Sequence, residues 1–98
     1  MATFITTIKF TERGIKAISE TTKRAEAFKA VAKKLGVKVT EIYWTIGAFD
    51  GAIVFDAADD ETATAALLQL ASMGNVQTST TRAFTAAEME KILPNLSK

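Results

Sequence analysis

Residues 41–55 read Glu41-Ile42-Tyr43-Trp44-Thr45-Ile46-Gly47-Ala48-Phe49-Asp50-Gly51-Ala52-Ile53-Val54-Phe55. Two runs of apolar, aromatic and β-branched residues flank a turn with two glycines. That pattern predicts an antiparallel hairpin with strands over residues 37–46 and 52–55. Strict alternation along the first strand sends Val39, Glu41, Tyr43 and Thr45 one way and Thr40, Ile42, Trp44 and Ile46 the other. In the turn, the glycines supply positive φ and Asp50 bonds the turn backbone.

Upstream, Phe4, Ile5, Ile8 and Phe10 interleave with threonines, which predicts a strand over residues 2–10. Thr11 is placed to cap a helix with Glu12 in its first turn. Ile15, Ile18, Ala25, Phe28, Ala32 and Leu35 recur at helical spacing and predict one buried face. Ser19-Glu20-Thr21-Thr22 is a weak helix former, so a kink or break there starts a second helix near Thr22. Lys33 and Lys34 suit the helix end before Gly36.

Downstream of the hairpin, Asp59 or Asp60 caps a helix whose buried stripe is Ala63, Ala66, Leu67, Leu70 and Ala71. Gly74-Asn75 ends it, and a threonine-rich strand follows over residues 76–85. Thr85-Ala86-Ala87-Glu88 is a capping box for a last helix that Pro94 limits to about Leu93.

The order strand, helix, strand, strand, helix, strand is the ferredoxin-like split βαβ pattern of an α+β protein. It implies a four-stranded antiparallel sheet with its helices on one face. One domain spans residues 1–98, with a core over residues 3–85 and an extra C-terminal helix over residues 86–94. Phe4/Ile5, Ile42/Tyr43/Trp44 and Ile53/Val54/Phe55 put apolar groups on both sheet faces. A face left open to water would instead alternate cleanly. The expected cover is a second copy, giving a homodimer with its sheets packed face to face.

The chain of 98 residues has no His and no Cys. Disulfides, Cys/His zinc sites, thiolate nucleophiles, Ser-His-Asp triads and His-ligated haem are thereby excluded. Met1-Ala2-Thr3-Phe4 lacks the basic start and apolar stretch of a signal peptide, and no run is long enough to span a membrane. A cytoplasmic location is expected. The net charge is +1, but residues 1–38 hold nine basic against three acidic groups, and residues 39–98 hold three against eight. A solvated, Lys-rich helix face accounts for the first segment, with an anion-attracting face as the functional alternative. No phosphate loop or dinucleotide fingerprint is present, and no cofactor is expected. Asp59-Asp60-Glu61 reads as a helix start rather than a metal site.

Three segments carry a resemblance over most of the chain. These are Glu41 to Asp50 with the β-branched strand and Ala57-Ala58-Asp59-Asp60-Glu61 behind it; Gly74-Asn75-Val76-Gln77-Thr78 with Arg82-Ala83-Phe84; and Phe4-Ile5 leading to Thr11-Glu12-Arg13-Gly14-Ile15. Together they resemble the GYD domain family. Gly47 and Asp50 match the Gly–Tyr–Asp signature, while Phe49 stands at the aromatic position without a phenol hydroxyl. The resemblance implies a dimeric α+β barrel. Its wider superfamily includes small monooxygenases, isomerases, haem proteins and amino-acid-sensing modules, so fold kinship alone selects no activity.

Five residues are candidates for a ligand site: Tyr43, Trp44, Phe49, Asp50 and Arg82. Each also has a structural reading: turn bonding for Asp50, core packing for Tyr43 and Trp44, an interface ion pair for Arg82. The leading functional expectation is a homodimer that binds a small molecule beside the sheet. The enzyme alternative is a cofactorless oxygenase or isomerase with Asp50 as base, Tyr43 as orienter and Arg82 as anion clamp. A purely structural oligomerising module is the third. Nucleic-acid binding is not expected, because Asp50 stands where the third-strand motif of RNA-recognition modules carries a basic residue.

Overall fold

A computed structural model describes residues 1–96. Strand β1 (Ala2–Phe10) leads through helix α1 (Glu12–Lys16) and a 3₁₀ turn (Ile18–Glu20) into α2 (Thr21–Lys34). The hairpin is β2 (Lys38–Trp44) and β3 (Gly51–Ala57); α3 (Asp60–Ser72), β4 (Val76–Ala83) and α4 (Ala86–Ile92) follow, and a 3₁₀ turn (Leu93–Asn95) comes after α4. The four strands lie in the order β2-β3-β1-β4 with every neighbour antiparallel. This is the ferredoxin-like arrangement expected from the element order.

The helix signals act through identifiable atoms. Thr11 Oγ1 accepts from the Gly14 N–H at 3.1 Å and donates to the Gly74 carbonyl at 2.7 Å. Asp59 Oδ1 accepts from the Thr62 N–H at 2.7 Å. Thr85 and Glu88 form the full capping box. These bonds hold the Asp59 and Glu88 carboxyls below the ordinary carboxylate range: Asp59 through its bonds with Thr62, Glu88 first through the Thr85 N–H and then through Arg82. A lowered folded-state value means that the ionised cap stabilises the fold above the unfolded value, and that this contribution disappears as pH falls through the folded one. Urea unfolding followed by far-UV circular dichroism should therefore show stability falling as the pH drops below the ordinary carboxylate range. Asp59→Asn, which keeps an acceptor without the titrating charge, should flatten that loss.

One side of the sheet carries the core. Phe4 and Phe55 are buried and stacked at 5.3 Å between ring centres, with Ile53, Phe28 and Val37 around them. Ala32, Ala57, Ala63 and Ala66 let α2 and α3 approach closely. Thr6 is fully buried in the same layer, and its hydroxyl is satisfied by that of Thr80 at 2.8 Å.

Four expectations are corrected. A β-bulge at Thr40 breaks the alternation of β2: Val39 pairs with Phe55 and Ile42 with Ile53, so Val39 shares the helix-covered face with Ile42 and Trp44. The strand also ends at Trp44, which leaves Ile46 fully exposed in the loop. Among the turn glycines, Gly47 has φ of 136° but Gly51 does not have positive φ; a Cβ at Gly51 would instead lie 2.9 Å from the Tyr43 carbonyl. Finally, Ile15 and Ile18 do not continue the buried face of α2: they lie before it, in α1 and the 3₁₀ turn, and stay exposed, as does Leu35 at the end of α2, while Phe28 and Ala32 are buried.

The other sheet face is uncovered by helices. The strand register assigns it Ile5, Tyr43, Ala52 and Val54, bordered by Glu41 from β2 beside Val54 and by Thr7, Ser79 and Thr81 from β1 and β4. It is a narrow apolar strip with a polar border. The C-terminal helix does not lie on it, since α4 packs chiefly on the turn that follows it. Among the described residues, no helix is long and apolar enough to cross a membrane.

Candidate functional site

The alanines bring the helices down onto one end of the sheet. At the other end, the first half of α2 and the last turn of α3 stand off it and leave a cavity of about 180 Å³. Ile8 and Phe10 of β1, Ile42 of β2 and Ile53 of β3 form its floor. Ala25, Phe28 and Val31 come from α2, and Leu70 and Met73 from α3 and its end. The polar groups at this largely apolar space are few: Thr21, Arg24, Asp50, Gln69 and Asn75.

Asp50 reaches the cavity because its loop is tied to β1. Its N–H donates to the Ile8 carbonyl at 2.7 Å, and its Oδ2 accepts from the Phe10 N–H at 2.8 Å. The carboxylate thus fastens the hairpin to the next strand rather than closing its own turn; Thr45 does that, its N–H donating to the Asp50 carbonyl and its hydroxyl to the Phe49 carbonyl. Asp50 has no ion-pair partner among the described residues.

Trp44 leans over the cavity edge, and its indole N–H donates to Thr21 Oγ1 at 3.0 Å, pinning β2 to the start of α2. It also borders a second, more polar groove between α2 and β2. Tyr43 borders the cavity too, although its side chain belongs to the opposite sheet face. There Glu41 holds the phenol above its ordinary value, first through a side-chain hydrogen bond and then through its charge. The hydroxyl stays protonated near neutral pH and is not a base.

Arg82 sits elsewhere. Its guanidinium lies over the Phe84 ring at 4.4 Å and the Phe4 ring at 5.8 Å, and it donates to the Thr3 and Ala83 carbonyls and to Glu88. Arg82 pairs with Phe4 at one end of β1, while Asp50 is bonded to Phe10 at the other. Roughly six residues of strand separate those anchors, about 20 Å. The chain therefore does not bring Asp50, Tyr43 and Arg82 together, and neither Phe49 nor Arg82 lines the cavity.

Arg24 is the contributor that sequence reasoning missed. It donates to the Ala17 and Gly14 carbonyls at 2.8 and 3.2 Å and so closes the end of α1 while bordering the cavity. In the sequence it is one more cation in a Lys-rich segment. The fork of donors that lets arginine take two carbonyls at once was the only available signal.

The fold and its half-covered core define a ferredoxin-like α+β protein with a small apolar cavity under its helices. The chain belongs to the GYD domain family, whose model matches residues 4–93. It is 32% identical over 90 residues to a Thermus thermophilus protein named glutamine synthetase and cystathionine beta-lyase binding protein, covering 91% of this chain and 95% of the relative. A solved structure, also of a Thermus thermophilus protein, superposes with a TM-score of 0.58 at 24% identity, over 88% of this chain and 96% of the other. The crystal structure of MtbAldR gives a TM-score of 0.66 at 13% identity, over 86% of this chain. This chain spans 53% of MtbAldR's length. At these identities the two structures establish the shared fold.

Proposed function

We propose that this protein is a homodimeric binding protein whose cavity takes a small, mainly apolar molecule with one polar group turned toward Asp50. The cavity carries the reading. An apolar space of about 150 Å³ accommodates benzene, whereas drug-sized ligands need at least about 300 Å³. At about 180 Å³ the site suits one ring or a branched chain of similar size, and it is too small for a nucleotide. Asp50 keeps acceptor capacity after its bond to Phe10, which favours a hydroxyl or amine on the ligand. Self-association is supported by the apolar strip of Ile5, Tyr43 and Val54. The oxygenase or isomerase alternative has less support, because its proposed base and anion clamp lie at opposite ends of β1.

The lone tryptophan gives a direct test. Benzyl alcohol, a ring with one hydroxyl, should shift Trp44 fluorescence saturably. Val31→Phe, which fills the cavity, should weaken that binding at least tenfold with the far-UV spectrum intact. An unsaturable response, or the same isotherm in both proteins, would remove the ligand from this site.

A second reading has support from the Thermus thermophilus relative, whose name describes binding to glutamine synthetase and cystathionine beta-lyase. On that reading the exposed apolar groups dock on an enzyme, and co-sedimentation with either of those two proteins is the observation to seek.

A further inference from the structure

We infer that the C-terminal arm, α4 with the turn after it, is a clasp that each copy of this chain lays on a second copy. The inference rests on the self-association proposed above and adds the element that completes it.

The arm is held out from its own chain. Its helix packs chiefly on the turn that follows it, and none of its residues is buried. Met89, Ile92, Leu93 and Leu96 are 40, 36, 45 and 65% exposed. The molecule measures 53 × 31 × 18 Å, with a radius of gyration of 15.0 Å, whereas an evenly packed chain of this length has about 13 Å. The arm is nevertheless well set: the Thr85–Glu88 capping box starts it, and the Arg82–Glu88 pair at 3.3 Å fixes its root. A helix of seven residues is far below the roughly 12–15 that persist alone in water, so its apolar side requires a surface to pack on.

Area identifies that surface as another copy. Four strands about 4.8 Å apart, paired over about seven residues of about 3.3 Å, present a face of roughly 450 Å². A stable pair needs about 800 Å² from each partner, so sheet-to-sheet contact alone falls short. An arm about 15 Å long and about 10 Å wide adds roughly 150 Å². In a twofold pair each copy gains this area twice, once through its own arm and once through the surface its partner's arm covers. The total approaches the requirement.

Sedimentation equilibrium of the full chain tests this. The parent should be dimeric at micromolar concentration. The double variant Met89→Gln with Ile92→Lys, which keeps helix-forming residues, should raise the half-dissociation concentration at least tenfold while the far-UV spectrum remains that of a folded core. Lys91→Ala, which leaves the apolar stripe intact, should dissociate like the parent. A dimeric parent whose double variant dissociates at the same concentration would overturn the clasp and leave self-association standing. A monomeric parent would overturn both.

Discussion

Gly14→Ala is expected to destabilise the fold by about 3 kcal/mol. In an ordinary exposed helix, alanine in place of glycine gains up to about 1 kcal/mol. Here the sign reverses, because a Cβ at Gly14 would lie 2.0 Å from the Asn75 carbonyl oxygen. That oxygen is backbone and accepts from the Thr11 N–H at 3.1 Å, so it cannot swing aside as a flexible side chain would. Relieving the overlap means moving α1 off the turn before β4, which costs about 1–3 kcal/mol in overpacking and about 1 kcal/mol more as the hydrogen bond is lost. For a domain with marginal stability this is a large fraction of the total. Urea unfolding should show the midpoint falling by more than about 1 M, on a slope of about 1–3 kcal/mol/M. An unchanged or higher midpoint would mean that α1 docks differently.

Val54→Asp is expected to convert the proposed dimer to monomers while leaving each monomer folded. Val54 lies on the uncovered face in the middle of the sheet, paired with Ile5 and Glu41. On that face an aspartate is solvated in the monomer and costs about 1 kcal/mol in strand preference, with repulsion from Glu41 across the strand pair adding up to about 1 kcal/mol. In the dimer it would be a second unpaired carboxylate beside Glu41 within the contact, and the twofold would place one in each copy. Removing each charge from water costs several kcal/mol, so the dissociation constant should rise at least a thousandfold. Sedimentation reads the mass, and circular dichroism confirms the fold. A dimeric Val54→Asp would move the interface to another surface.

The element order was legible because each boundary carries its own chemistry. Thr11, Asp59 and Thr85 are caps whose side chains bond the residues that local spacing predicts. The bulge at Thr40 was not legible, because an extra residue in a strand leaves no trace in composition; only the partner register of β3 shows that Val39 belongs with Ile42. Gly51 illustrates the same limit, since its need for a missing side chain comes from the Tyr43 carbonyl across the hairpin. The cavity was beyond reach as an object. Its walls come from both helices, and Phe28, Val31, Leu70 and Met73 look like ordinary core in sequence. Asp50 and Trp44 stand out in the sequence and border the cavity, whereas judging a partnership between Asp50 and Arg82 required knowing that β1 holds them apart.

The bulge has a consequence for how copies of this chain can add to one another. β2 and β4 are the two outer strands of the sheet, each with one row of backbone groups unmatched by a neighbour. β4 runs Gln77-Thr78-Ser79-Thr80-Thr81 without a charge before Arg82, and its register with β1 is unbroken, so it is the edge better suited to take a foreign strand. β2 is spoiled as a template: it kinks at Thr40 and carries Lys38 and Glu41 along its short length. A growing fibre needs two competent edges on every molecule, and this one has a single serviceable edge. The irregularity in β2 therefore withholds the second edge that growth strand by strand into a fibre would require.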